Sequence, residues 1–184
     1  MQTSNLPDAL WLTVSPSLKH FDQPLLRHLS RHITIAEWAY NQTLDEESSL
    51  SVAVSMLHDY LKSRPQPIHL LGHGTGGLVG LLYARQYPGR VRSLTLLAVG
   101  AQPAVDWKAH YYVRRQLFPC TRQIVLAQMV DALFGRQLEH RTKRLVQLLA
   151  QDLDYALSPH SLFKQTTILP GGAPIPLMVC GSRE

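Results

Sequence analysis

The feature that most constrains this chain is a glycine-crowded turn between a strand and a helix. An apolar run, Ile68-His69-Leu70-Leu71, leads into Gly72-His73-Gly74-Thr75-Gly76-Gly77. A helical pattern follows to about Tyr87, where Pro88-Gly89 ends it. Glycine at these positions lets the helix start fold back closely on the strand it leaves. The same alternation recurs along the chain. Residues 9–14 (Ala-Leu-Trp-Leu-Thr-Val), 33–38, 68–71, 92–97 and 177–180 read as strands. Residues 23–31, with Leu25, Leu26 and Leu29 on one face, and 48–62, with Leu50, Val54, Leu57 and Leu61, read as helices. Asp45, Glu46 and Glu47 sit where the second helix begins, the end its dipole favours for negative charge. Strands alternating with helices predict an α/β fold, a mainly parallel sheet with helices on both faces.

Residues 106–165 break the alternation. They are helical in pattern and hold half of the Lys and Arg of the chain. Residues 120–134 form one predicted helix, with Val125, Met129 and Leu133 in line and Gly135 as its cap. Residues 136–156 form another, with Leu138, Leu145, Leu149 and Leu153. Between them and the sheet lies Trp107-Lys108-Ala109-His110-Tyr111-Tyr112-Val113-Arg114-Arg115. Aromatics interleaved with cations can grip an anionic or aromatic ligand, or a partner protein. The preferred reading is an amphipathic helix that buries its aromatics, because a helical insert must bury one face. The expected organisation is a core over 1–105, a helical insert over 106–165, and a return to the core over 166–184.

Composition excludes several classes. Hydrophobic residues are 45% and charged residues 17%, ordinary for a globular domain. No apolar run is long enough to span a bilayer, and the first residues lack a secretory pattern, so no membrane partner and a cytoplasmic location are expected. Net charge is +5 and the pI about 9.4, yet there is no Lys/Arg run or nucleic-acid motif, so no nucleic-acid partner is expected. Cys120 and Cys180 have no metal-type spacing. The nine histidines, His69, His73 and His160 among them, form no ligand set, so no metal is expected. Gly72-x-Gly74-x-x-Gly77 also spells a dinucleotide fingerprint. That motif opens its domain, whereas this one follows the third strand. Arg90 and Arg92 stand where the ribose-binding acid belongs. No cofactor is expected, and a nucleotide-dependent oxidoreductase is a minor alternative.

A strand, the turn Gly72-His73-Gly74-Thr75-Gly76, the continuation Gly77-Leu78-Val79-Gly80 and a helix ending Tyr87-Pro88-Gly89-Arg90-Val91 together resemble the α/β-hydrolase superfamily, in particular its members with a helical cap. The resemblance implies that the turn is a nucleophile elbow, the insert a cap, and the last strand the one that delivers a catalytic acid. It also implies a departure. Gly74 stands at the nucleophile position, and glycine has nothing to attack with. Ser15-Pro16 stand where the family has His-Gly, so Ser17 is the candidate oxyanion donor. Glu184 falls at the acid position, and no histidine follows it. The expected protein is a degenerate hydrolase that binds a small molecule or a partner. The expected pocket candidates are Ser15, Ser17, His73, Gly74, Thr75, Trp107 and Tyr111. The alternative is a hydrolase of small esters or acyl compounds, working through an activated water and completed by a missing C-terminal segment. A further alternative is an interaction module that pairs through its last strand. Leu177, Met178 and Val179 would stand exposed there, so the chain is expected to be a fragment or to have this edge covered by another chain.

Overall fold

The computed structural model describes residues 7–43, 45–46, 48–160 and 168–181. Five strands form one all-parallel sheet: β1 (Ala9–Thr13), β2 (Ile35–Ala39), β3 (Ile68–His73), β4 (Val91–Leu97) and β5 (Leu177–Cys180), in the order β2-β1-β3-β4-β5. The helices are α1 (Gln23–Leu29), α2 (Leu50–Leu61), α3 (Gly74–Gln86), α4 (Trp107–Leu117), α5 (Arg122–Phe134) and α6 (Glu139–Tyr155). The expected α/β architecture is therefore present. One 3-10 helix, Pro16–Phe21, lies in a stretch that the apolar pattern leaves blank.

β1 is buried at every position, as a strand sandwiched between two others and covered on both faces must be. Leu10 and Leu12 of β1, Leu70 of β3 and Leu94 of β4 meet α2 and α3 in one core, where Leu57 and Leu78 pack between sheet and helices. β2 lies at one rim of the described sheet, and β5 lies at the other with Leu177, Met178 and Val179 exposed. The helical insert has its own core, built from Tyr111, Val125, Met129, Leu145 and Leu149, against which Leu18 of the 3-10 helix packs.

Local chemistry moved several boundaries. The second strand starts at Ile35 rather than residue 33 because Thr34 turns back on Asp8, its hydroxyl donating to the carboxylate at 2.6 Å. The helix expected from residue 120 starts at Arg122, with Thr121 capping the Ile124 N–H at 3.4 Å. It ends at Gly135, whose φ of 69° suits only glycine well. The last helix starts at Glu139 rather than 136, since Gln137 uses its side-chain amide to cap the Phe134 carbonyl at 2.6 Å.

The packing at the β3–α3 turn is tight. A Cβ on Gly72 would lie 2.5 Å from the Gly77 nitrogen, and one on Gly77 would lie 2.7 Å from the Gly72 oxygen. One on Gly76 would overlap the Leu12 carbonyl oxygen of β1. Gly76→Ala is thus expected to cost roughly 2–3 kcal/mol, since the clash is with backbone that cannot move aside. Gly89→Ala, with open space around it, is expected to cost far less. Urea unfolding of both variants checks this, and equal costs would mean that the turn is not close-packed.

Candidate functional site

The carboxyl end of a parallel sheet is where crossover loops gather, and where ligands bind in open α/β sheets. Here that end holds the turn after β3, the loop after β1 and the helical insert. β3 runs two residues further than expected, so the chain passes from strand to helix with only His73 as the capping residue. Gly74 follows with φ of +50°, a conformation that L side chains adopt at a cost. Strained turns of this kind present a nucleophile in the motif Gly-x-Ser-x-Gly. A Cβ built on Gly74 would meet nothing within 4 Å, so the position faces open space. The three surrounding glycines are filled in by backbone; the one at the nucleophile position is not.

His73 is exposed and caps no N–H with its side chain. Thr75 lies in the first turn of α3, where backbone N–H groups lack intrahelical acceptors. Ser15 precedes the 3-10 helix, its carbonyl accepting the Leu18 N–H at 3.0 Å. Pro16 offers no N–H, so Ser17, in the first turn, is the next backbone donor of this loop.

The Ser17 hydroxyl does not point free. It donates to Asp152 Oδ1 at 3.1 Å. The Trp107 indole N–H donates to Asp152 Oδ2 at 3.3 Å. The Lys108 ammonium lies 4.0 Å from the same oxygen, but its short bonds, both 2.6 Å, go to the carbonyls of Asp152 and Ala156 at the end of α6. Lys108 is 2% and Asp152 1% exposed. Burial pushes the Asp152 carboxyl above its ordinary range and the Lys108 ammonium below its own, while their mutual attraction acts against both shifts. Lys108 is therefore as much a cap on the negative end of α6 as an ion-pair partner. Nearby, Asp106 caps α4 at the Ala109 N–H, 3.0 Å away, and accepts the Ser158 hydroxyl. His160 Nδ1 lies 3.0 Å from Ser158 Oγ, and its ring stacks on Tyr112. The two ends of the insert are tied to each other and to the loop after β1.

The structure thus brings together Ser17 and Trp107, through Asp152. It places Tyr111 inside the core of the insert, 4% exposed, which removes it from an open pocket wall. The aromatics of α4 are buried or half-buried, as an amphipathic insert requires. Glu184 lies outside the described residues. Among the described residues no group of three His, Cys, Asp or Glu side chains is placed to hold a metal ion. His69 Nδ1 bonds Ser93 Oγ at 2.6 Å. A recess lined by His32 and Ile33 opens at the amino ends of β1 and β2, the far end of the sheet from Gly74. Asp8 there is occupied by Thr34, and nothing in that recess connects it to the elbow.

The sequence pattern counts Lys108 among the cations of the α4 stretch and does not single out Asp152, whereas the structure buries the two together. A signal existed: Asp152 falls at i+7 from Leu145 and i+3 from Leu149, on the buried stripe of α6. Its Leu neighbours were read, and the carboxylate among them was not.

Residues 52–168 match the family described as the alpha/beta hydrolase fold. An uncharacterized protein of Nostoc sp. is 47% identical over 177 residues, covering 96% of this chain and 71% of its own. An uncharacterized protein of Synechocystis sp. is 45% identical over 182 residues, covering 97% and 72%. Among solved structures, an α/β hydrolase enzyme from a Medee basin deep-sea metagenome library matches with a TM-score of 0.50 at 16% identity. That match covers 84% of this chain and 62% of the other, and it speaks to the fold alone. In the described residues no helix is long and apolar enough to cross a membrane.

Removing the Lys108 ammonium would leave the Asp152 carboxylate buried without its cation and two α6 carbonyls without their donor. Lys108→Met is expected to destabilise by about 3–5 kcal/mol. Lys143→Met, which breaks the exposed pair with Glu139, is expected to leave the urea midpoint nearly unchanged. Similar small shifts for both would show that Lys108 does not hold the insert.

Proposed function

We propose that this chain, which belongs to the α/β-hydrolase fold family, binds a small molecule beneath its helical cap and carries out no serine-type chemistry. The observation that supports this reading is Gly74: the elbow keeps its strained backbone and its close-packed glycines, and the position that would carry the nucleophile has no side chain. Covalent catalysis needs an attacking atom with a base to activate it. Thr75 is one position late for that role. What the elbow retains is the part that binds: N–H groups at the start of α3 and in the loop after β1, which suit a carbonyl or carboxylate oxygen. Glycine in place of a larger residue also leaves room over the turn. A pocket between the Gly74 turn, the loop at Ser15 and Ser17, and the cap edge at Trp107 would take a small acyl compound or carboxylate. Asp152 holds two of those three walls together.

The test begins with intact mass before and after a fluorophosphonate probe, with an active serine hydrolase as control. The expected result is no adduct. An adduct, or turnover of a simple ester lost on purification of Gly74 variants, would overturn the reading in favour of a hydrolase with an unorthodox nucleophile or a bound water. The second arm uses Gly74→Asn, because asparagine tolerates positive φ and its side chain would occupy the open space. Native mass spectrometry of the protein from its own cells is expected to show a small-molecule occupant that Gly74→Asn loses. No occupant, and no thermal stabilisation by small carboxylates or acyl compounds, would sink the binding reading.

A further inference from the structure

The exposed end of α4 has properties that neither the elbow nor the buried Lys108–Asp152 pair accounts for. Val113, Leu117 and Phe118 stand at i, i+4 and i+5, and they are 42%, 69% and 49% exposed. Ile124, in the first turn of α5 across a short link, is 49% exposed. Scattered exposed apolar residues are normal, but adjacent ones at a helix end mark contact surfaces. From Trp107 to Val130 the sequence contains no Asp or Glu, while Arg114, Arg115 and Arg122 lie within it. Arg122 is engaged with Asp154, at 2.8 Å. Arg136, Arg141 and Arg144 add exposed positive charge elsewhere on the insert, where Lys143 is paired with Glu139.

Part of the backbone at this corner is bonded from within. The Phe118 N–H donates to the Arg114 carbonyl at 3.0 Å, Pro119 has no N–H, and the Cys120 N–H donates to the Phe118 carbonyl at 2.8 Å. The Arg115 guanidinium donates to the Cys120 carbonyl. The remaining helix-end N–H and C=O groups suit the headgroup zone, where water and phosphate can bond them, while the apolar side chains reach past it. A protruding apolar tip with Arg114 and Arg115 beside it and no carboxylate in that stretch of sequence has the chemistry of a segment that sits at the boundary of headgroups and acyl chains.

We propose that the corner from Val113 to Ile124 docks on an anionic lipid surface. Leu117 and Phe118 enter the acyl boundary, and Arg114 and Arg115 meet headgroup phosphates. A surface contact of this kind needs no spanning helix, so the absence of an apolar span in the sequence does not bear on it. The contact would hold the C-terminal end of α4 against a membrane, with Trp107 at the opposite end of that helix. It stands independently of the ligand-binding reading, because it can be measured with lipid alone.

The experiment is co-sedimentation of the intact protein with vesicles of phosphatidylcholine, and of phosphatidylcholine containing phosphatidylglycerol. Binding to the anionic vesicles is expected, with much weaker binding to neutral ones and loss in about 0.5 M salt. Leu117→Asp/Phe118→Asp is expected to lower binding by about tenfold or more with an unchanged circular-dichroism spectrum. As a second measurement, Phe118→Trp is expected to gain a blue-shifted emission component on adding anionic vesicles, which shows insertion without removing an apolar side chain. The proposal falls if the native protein ignores anionic vesicles, if the double Asp variant binds as well as native, or if the Trp emission does not move. It also falls if sedimentation equilibrium shows an oligomer that the double Asp variant dissociates, for the corner would then be a contact between copies of the chain.

Discussion

Everything at the carboxyl end of this sheet depends on how closely α3 approaches β1 and β3. The approach is limited by backbone, not by side chains: the Gly72 and Gly77 main chains face each other, and Gly76 lies against the Leu12 carbonyl. Gly80, one turn on, leaves room for Leu12 and Leu94 side chains. With no Cβ atoms between them, the helix axis sits low on the sheet and the strand can pass into helix at a single residue, His73. That sharp transition sets Gly74 at positive φ. A larger residue at any of the three packed glycines would lift the helix and relax the turn, so the site geometry is a by-product of core packing.

The cap is fixed by a different kind of force. Its helices bury their own apolar core, which supplies cohesion but little orientation. Orientation comes from a few directed bonds: Ser17 and Trp107 to the Asp152 carboxylate, and Lys108 to the last carbonyls of α6. A buried pair of this sort is a poor source of net stability, since desolvation takes back most of the attraction. It is a good source of specificity, because one alignment of α4, α6 and the loop after β1 satisfies all the donors and a shifted one strands a charge. The cost of misplacing the cap is thus far larger than the gain from placing it.

Much of the fold was legible in the sequence because it rests on periodic or local signals. The strand patterns, the stripe of α2 and the Gly135 stop are of that kind, and β5 spans the expected residues, whereas the stripes of α5 and α6 hold only in part, because Leu133 and Leu138 stand exposed. The close-packed β3–α3 turn was legible from glycine spacing. Boundaries slipped where a side chain competes with the backbone, as at Thr34 and Gln137, since such bonds leave no periodic trace. The 3-10 helix after β1 was missed because its apolar residues, Leu18 and Phe21, serve the cap and not the sheet. The link from Ser17 to Asp152 spans 135 positions, and no local pattern carries a contact of that reach. Tyr111 was misplaced for a related reason: an aromatic beside cations has the same pattern whether it faces a ligand or a neighbouring helix.

The contrast between Gly74 and its neighbours separates scaffold from chemistry. Gly72, Gly76 and Gly77 are constrained by what touches them, so any substitution there is opposed by the fold itself. Nothing touches the space in front of Gly74. Folding therefore exerts no steric preference over which residue occupies it, beyond the modest strain that positive φ places on a side chain, and glycine relieves even that. A nucleophile at such a position is retained only while its chemistry is used. Once it is not, glycine is the residue the backbone prefers. The turn, the loop after β1 and the helical insert are set by contacts in which position 74 has no side-chain part. The geometry of this turn is therefore independent of the side chain, if any, that faces the open space before it.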